Sequence, residues 1–196
     1  DVDSHLDLPV INKTREQLDS MELVPFKAIF DAGVGSVMIA HLYIPAIDNT
    51  KNRATSISKN NVTELLRNSM HYNGLTFTDA LEMKGVAKYF PGGTIAVEAI
   101  IAGNDMLCLP ESVPESIEAI KKAIADNRLS WEDIYSKVRK VLASKYQLGL
   151  NRTTIIDTNN LVEDINAKTD AIRREIAQHG ITLLTQAGQT ASRNDY

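Results

Sequence analysis

The first residues whose types and spacing could do chemistry lie at the start of the chain. Acidic and imidazole side chains occur there at every second position, at Asp1, Asp3, His5 and Asp7. Aspartate and histidine are ordinary ligands of metal ions. Along an extended strand, however, these four groups would span about 20 Å, which is too far for one ion unless the chain turns. The residue types alone therefore do not decide between a metal site and a solvated loop.

A third interpretation of the same segment is an Asp–His pair. Asp3 and His5 are two residues apart, so their side chains can meet in a loop. A carboxylate that accepts a hydrogen bond from one imidazole nitrogen fixes the tautomer and raises the basicity of the other nitrogen. Such a pair is competent as a general acid and base.

Asp79 and His41 are two further candidates, because each follows a short apolar run. In α/β barrels, catalytic side chains lie at the carboxyl ends of the parallel strands. Both residues have a structural alternative: Asp79 could cap the helix that follows it, and His41 could pack within a loop. Asp105 precedes a strand and is expected to be structural. The single cysteine, Cys108, lies in an apolar stretch and is expected to be a small buried side chain.

Glycines, prolines and capping residues divide the chain into alternating strands and helices. Apolar runs predict four strands, at Ser36–Ala40, Leu75–Thr78, Met106–Leu109 and Ile181–Leu184. Apolar residues at helical spacing predict helices that start at Thr14, Ser58, Thr94, Pro114 and Ser130, and one over residues 160–178. Ser36–Ala40 is expected to be buried on both faces. Pro25 is expected to break the first helix or begin a second one, and Asn49–Ser58 to be a loop without core side chains.

The predicted fold class is α/β with parallel strands. Each connection between the first three strands is long enough for a right-handed crossover, which joins parallel neighbours. Three parallel strands make a poor complete sheet. The sequence therefore predicts one part of a larger α/β barrel or doubly wound sheet.

Composition excludes several classes of protein. The 196 residues include 21 Lys and Arg against 25 Asp and Glu, which gives a formal net charge of -4. With 43% hydrophobic and 23% charged residues, a disordered tail, a collagen-like repeat and a disulfide scaffold are all excluded. A slightly acidic chain is not typical of proteins that bind nucleic acid. No apolar run approaches the roughly 18 residues that cross a bilayer, so no membrane-spanning segment is predicted.

At the candidate residues the sequence resembles glycoside hydrolase family 3, and within it the β-N-acetylglucosaminidase branch. The specific motifs are Asp1–Pro9, similar to the branch's DSH-x-x-LP loop, and Phe77–Met83, similar to its nucleophile segment after barrel strand seven. Val37–His41 is similar to strand six, and Ala102–Leu107 to the run into strand eight. Ile181–Leu184 resembles the opening of the second α/β domain of two-domain members.

The resemblance implies roles for individual residues. Asp79 matches the catalytic nucleophile, His5 the general acid/base and Asp3 its dyad partner. His41 and Met83 are assigned to substrate binding. The implied reaction is retaining hydrolysis of terminal β-linked N-acetylglucosamine from glycans such as peptidoglycan fragments, without a metal or organic cofactor. A phosphorylase and a non-catalytic sugar-binding barrel are the alternatives.

The resemblance also implies a domain organisation. Residues 1–150 correspond to the C-terminal part, strands six to eight, of a TIM-type (β/α)8 barrel. Residues 151–179 correspond to a linker and helix, and 180–196 to the start of a second α/β domain. The expected partners are the carbohydrate substrate and the missing parts of the same polypeptide, and the fragment alone is expected to be inactive. An exported, periplasmic or cell-envelope location is favoured over a cytoplasmic one.

Overall fold

The computed structural model describes residue 3 and residues 6–152 and 155–181. The chain divides into two compact units, residues 1–151 and residues 152–196. The first unit contains the sheet and most of the helices. The domain boundaries at residues 150 and 179 stay a prediction.

Three parallel strands form the sheet of the first unit, in the order β1-β2-β3. They are β1 (Ser36–Ile39), β2 (Leu75–Ala80) and β3 (Met106–Cys108). The parallel α/β arrangement expected from the sequence is therefore confirmed. Between β2 and β3 the register shifts, because Phe77 pairs with Met106 whereas Ala80 pairs with Cys108. This irregularity gives β2 one extra residue just where it ends.

Helices connect and flank the strands. In chain order they are α1 (Arg15–Gln17), a π-helical segment (Leu18–Glu22), α2 (Leu23–Asp31), a 3-10 turn (Thr55–Ile57), a π-helix (Asn60–Ser69), α3 (Lys84–Ala87), α4 (Thr94–Ala102), α5 (Val113–Ala125) and α6 (Trp131–Gln147). The helix starts predicted at Thr14 and Ser130 are confirmed, and each of these residues caps its helix in a capping box. Gly93, rather than Thr94, is the N-cap of α4.

The break expected at Pro25 falls a few residues earlier. The chain is helical from Arg15 to Asp31, and the irregular part is the π-helical segment, so that Pro25 lies in the first turn of α2. Pro25 has no N–H to donate to the preceding helical turn, so the regular pattern of helical hydrogen bonds is interrupted there. The wider π turn before it takes up the irregularity.

Two predictions about burial in the first unit are wrong. The strand β1 is not buried on both faces, since Met38 is 58% exposed at the edge of the sheet. The run Asn49–Ser58 is not a loop without core side chains, since Ala54–Ser58 is buried. Thr55 ties this stretch to the chain after β1, because its hydroxyl donates to the Ala40 carbonyl and accepts from the Leu42 N–H. Contacts with distant segments bury this stretch: the hydrogen bonds of Thr55 with the chain after β1, and the apolar packing of Ala54 and Ile57.

One buried apolar cluster lies under the carboxyl ends of the strands. It joins residues that are far apart in the sequence, and its members are Leu8, Ala54, Ile57, Leu81, Val86, Ile95 and Ala99. Tyr43, Phe90 and Leu107 pack against it. The N-terminal segment and the turn after β2 therefore share one core.

Among its described residues, 152 and 155–181, the second unit contains two helices, α7 (Leu161–Asn166) and α8 (Thr169–Gly180), so the prediction of one continuous helix over residues 160–178 is wrong. At the junction the Asn166 amide donates to the Val162 carbonyl, and the Thr169 hydroxyl donates to the Asn166 side-chain oxygen. Such local bonds compete with the helical backbone pattern. The predicted strand Ile181–Leu184 falls, beyond Ile181, outside the described residues. Within the described part of the chain, no helix is both long and apolar enough to cross a membrane.

Candidate functional site

Asp79 lies at the carboxyl end of β2, inside the irregular stretch of the strand. Its side chain is half-buried, while Thr76 and Thr78 on either side of Phe77 are fully buried. One carboxylate oxygen, Oδ1, accepts the Ala80 N–H at 2.8 Å. The other oxygen, Oδ2, accepts no hydrogen bond from the residues that the structure describes.

The alternative in which Asp79 caps the next helix does not hold. The helix α3 begins at Lys84, and its N-cap is Met83. Between the strand and this helix, the Met83 N–H donates to the Ala80 carbonyl at 3.1 Å and closes a tight turn. The Leu81 N–H donates to the Cys108 carbonyl at 3.0 Å, which fixes the turn to β3. Asp79 thus stands at the rim of the sheet, on a turn held from two sides.

His41 lies directly behind this turn, two residues after β1. Its side chain is only 1% exposed, and both ring nitrogens are engaged: Nε2 lies 2.9 Å from the Ala80 carbonyl oxygen and Nδ1 lies 2.6 Å from the Ser56 hydroxyl. A carbonyl can only accept, so Nε2 carries the hydrogen and donates it. Burial lowers the pKa of His41 below its usual range, against the Ala80 hydrogen bond and the negative charge of Asp79, which both act to raise it. The Nδ1 atom of the neutral ring accepts a hydrogen bond from the Ser56 hydroxyl.

Ser56 and Asn104, which the sequence did not mark as candidate site residues, extend this buried polar group. Both side chains are fully buried. The Asn104 amide donates to the Ser56 carbonyl at 2.7 Å and to the Ala99 carbonyl at 2.9 Å. No apolar period or charge pattern marks either residue, because their importance arises only from contacts between distant segments.

Asp3 and Asp7 belong to a turn that precedes the sheet. The Asp3 carbonyl accepts the N–H groups of Leu6 and Asp7 at 2.9 and 3.0 Å. His5 lies outside the described residues, so the Asp3–His5 dyad stays a prediction. The Asp7 carboxylate accepts from Lys88 Nζ at 2.7 Å, and this hydrogen bond is the main reason that the pKa of Asp7 is lowered. Because Lys88 is the C-cap of α3, this ion pair connects the N-terminal turn to the helix that follows Asp79.

Two further contacts bring the N-terminal segment to the rim of the sheet. The Tyr43 N–H donates to the Pro9 carbonyl at 2.8 Å, and the Ile11 N–H donates to the Tyr43 carbonyl at 2.9 Å. Leu8 belongs to the same buried cluster as Leu81, which follows Asp79 by two residues. The flanks of the two predicted catalytic segments therefore meet in one part of the fold.

The other predicted site residue, Met83, is buried, with 8% of its surface exposed. His41 and Met83 both lie beside the Asp79 turn, but His41 offers no free ring nitrogen to a ligand. Their assignment to substrate binding stays a prediction. Within the described residues, no group of three or more His, Cys, Asp or Glu side chains could hold a metal ion.

Comparisons with known proteins identify related sequences and structures. Beta-hexosaminidase A of Pseudoalteromonas piscicida is 27% identical over an alignment that is 206 residues long with its gaps. The alignment covers 95% of this chain and 34% of the relative. The solved structure of a glycoside hydrolase family 3 beta-N-acetylglucosaminidase from Paenibacillus sp. str. FPU-7 matches with 32% identity and a TM-score of 0.83, over 96% of this chain and 36% of that one.

A third match is to the structure of a beta-glucoside phosphorylase, with 26% identity and a TM-score of 0.86, over 95% of this chain and 36% of that one. The chain thus spans about a third of the length of these relatives. The family model for the glycosyl hydrolase family 3 N-terminal domain matches residues 1–144, which is well over half of the chain. The chain therefore belongs to glycosyl hydrolase family 3.

Proposed function

We propose that the complete protein is a retaining exo-β-N-acetylglucosaminidase, which releases terminal β-linked N-acetylglucosamine from glycans such as peptidoglycan fragments. The observation that carries the proposal is the Asp79 carboxylate at the rim of a parallel sheet, with Oδ1 held by the Ala80 N–H and Oδ2 without a hydrogen bond from the described residues. Similarity to a family 3 beta-N-acetylglucosaminidase over 96% of this chain supports the substrate class.

In the proposed fold of the complete protein, β1, β2 and β3 are strands six to eight of a TIM-type (β/α)8 barrel. Residues 151–179 then form a linker, and residues 180–196 begin a second α/β domain. The parallel order of the three strands and the carboxyl-end position of Asp79 both support this assignment. In such barrels the catalytic groups lie on the carboxyl ends of several strands.

The proposed reaction is a double displacement. Asp79 Oδ2 attacks the anomeric carbon, the glycosidic C–O bond breaks, and the protonated imidazole of His5 gives its proton to the departing oxygen. Water then attacks the glycosyl-enzyme ester and loses a proton to His5, now neutral, which frees Asp79 and retains the anomeric configuration. Asp3 orients the imidazole and stabilises its charged form.

The decisive experiment replaces Asp79 by Asn and by Gly in the complete protein. With an aryl N-acetylglucosaminide as substrate, both variants should lose at least about 10³-fold in kcat, because the nucleophile is gone. Added azide should restore turnover in the Gly variant and give the α-glycosyl azide, since the small anion attacks from the side that Asp79 vacated. Asp126→Asn, an exposed acidic residue at the end of α5, serves as the control and should match the parent. Parent-like activity of Asp79→Asn would refute the proposal.

A beta-glucoside phosphorylase among the similar structures favours phosphorolysis as the second candidate. A histidine acid/base is neutral or cationic during catalysis, so it does not repel a phosphate anion as a carboxylate does. Turnover measured with and without phosphate separates the two candidates. A sugar-1-phosphate product would identify the phosphorylase, and a free sugar whose rate does not depend on phosphate would identify the hydrolase.

A further inference from the structure

A chain of hydrogen bonds leads from the interior of the fold to the Asp79 carboxylate. The Ser56 hydroxyl donates to His41 Nδ1, and His41 Nε2 donates to the Ala80 carbonyl. The Ala80 N–H in turn donates to Asp79 Oδ1. Ala80 is therefore held at both of its polar backbone groups, on one side by a buried imidazole and on the other by the proposed nucleophile.

This arrangement restricts the orientation of the carboxylate. The peptide between Asp79 and Ala80 carries the N–H that binds Oδ1, so a rotation of Ala80 would move that donor away from the oxygen. The Ala80 carbonyl belongs to the next peptide, so the His41 hydrogen bond fixes the backbone on the other side of the Ala80 Cα. The Met83 N–H donates to the same carbonyl, so His41 holds the whole turn that follows the strand.

The interior end of the chain of bonds is rigidly placed. Ser56 is fully buried in the 3-10 turn, and its own carbonyl accepts from the Asn104 amide. The neighbouring Thr55 binds the chain on both sides of His41, at the Ala40 carbonyl and the Leu42 N–H. The imidazole thus has a fixed position and a fixed tautomer, which a loosely packed histidine would lack.

We propose that His41 is a positioning residue of the proposed reaction, in which its buried neutral ring holds the Ala80 turn so that Asp79 Oδ2 faces the anomeric carbon. The inference rests on the proposed function and deepens it. It replaces direct substrate binding by His41 with an indirect role, because the ring is buried and both nitrogens bind protein groups.

The test uses His41→Leu, His41→Gln and Ser56→Ala in the complete protein. A nucleophile displaced by about 1 Å can lose about 100-fold in rate, so kcat should fall about 10- to 100-fold in His41→Leu, while KM stays within about threefold. Glutamine can donate to the Ala80 carbonyl and accept from Ser56, so His41→Gln should recover most of the lost kcat. Ser56→Ala should lower kcat by about three- to tenfold, because it removes the hydrogen bond that holds the imidazole at Nδ1.

Leu129→Ala is the control for stability. Leu129 is buried, and it belongs to the cluster that includes Val97, Ile100 and Ala123 rather than to the one that contains Leu81. This variant should lose thermal stability and yet keep kcat within about threefold, because it leaves a cavity away from the Asp79 turn. A loss of kcat as large as that of His41→Leu would mean that any weakening of the first unit is sufficient, which would overturn the positioning role.

Three other results would also overturn the inference: unchanged kcat in both His41→Leu and Ser56→Ala, a rise in KM with kcat preserved, or no recovery in His41→Gln. The rate of covalent adduct formation with a fluorinated glycosyl fluoride gives an independent readout, and it should fall in parallel with kcat. If Asp79→Asn is fully active, the proposed function itself fails. If Asp79→Asn is inactive while the His41 variants are normal, only the positioning role fails.

Discussion

Replacing Asp105 by Asn should destabilise the first unit without touching the candidate site. Asp105 lies at the amino end of β3, away from Asp79, and its side chain is only 6% exposed. A single oxygen, Oδ2, accepts from Arg67 at 2.7 Å, from the Thr76 N–H at 2.9 Å and from Lys140 at 3.0 Å. This carboxylate thereby joins the π-helix, β2 and α6.

The burial of Asp105 and the exposure of its two cationic partners set the size of the expected loss in the free energy of unfolding. Removing one partner of a buried ion pair costs about 3–5 kcal/mol, because the remaining charge is left uncompensated. Arg67 is 18% exposed and Lys140 is 32% exposed, so water can solvate part of the charge that remains. We therefore expect about 3 kcal/mol in the free energy of unfolding for Asp105→Asn, the lower end of that range.

The assay is hydrogen exchange, which reads the effect locally within the complete protein. The Thr76 N–H donates to Asp105, and about 3 kcal/mol corresponds to roughly a 100-fold faster exchange for amides of β2 that open with the unit. Asp126→Asn is the control, since its ion pair with Lys122 is exposed and should change the free energy by less than about 0.5 kcal/mol. Equal exchange rates in the two variants would refute the reasoning.

The same carboxylate predicts a pH dependence. Burial acts to raise the pKa of Asp105, but the Thr76 N–H, Lys140 and Arg67 outweigh it and leave the pKa below its usual value. The charges facing it are Arg67, Lys137 and Lys140. Its stabilisation is therefore fully present above about pH 4, the usual range of an unfolded aspartate, and is lost as the pH falls through the lower folded pKa. The difference between parent and Asp105→Asn should be constant from pH 7 to 5 and shrink only in stronger acid.

Two further predictions concern turns of the first unit. Lys88→Asp should lower turnover of the complete protein by about two- to fivefold, because it places a second carboxylate beside Asp7. The swap Asp7→Lys/Lys88→Asp should restore turnover. If the swap is no better than the single change, the ion pair between Asp7 and Lys88 does not hold the N-terminal turn in place. Gly93→Ala should destabilise by about 2–4 kcal/mol in thermal unfolding, because φ is +75° and the new Cβ would lie 2.7 Å from the Glu115 backbone. Gly92→Ala, with φ +63° and open space around it, should cost only about 1 kcal/mol, and equal losses would rule out the clash.

Local signals in the sequence were sufficient for most elements of the fold. The helices capped by Thr14 and Ser130 start as predicted, because a capping box depends only on residues three apart. The three short apolar runs formed parallel strands, since each is followed by a stretch long enough to cross over. Predictions failed where non-local contacts decide, as in the buried turn Ala54–Ser58.

For the candidate site, too, the sequence predicted some features and the folded chain alone decided others. The spacing of Asp79 after an apolar run indicated a rim position, and the structure has it at the carboxyl end of β2. His41 was also placed near this rim, but its partners could not be predicted. Ser56 is 15 residues away along the chain and the Ala80 carbonyl is 39 residues away. No pattern of residue types encodes a hydrogen bond between such distant positions.

The amino-acid sequence by itself determined the alternation of strands and helices, the parallel sheet and the family, because periodicity, caps and short motifs are properties of neighbouring residues. Only the tertiary structure decided that His41 is buried behind Asp79 rather than open to a ligand. It alone also brought Leu8 and Leu81 into one cluster. Burial and hydrogen-bond partners depend on how distant segments pack against one another, and that packing exists only in the folded chain.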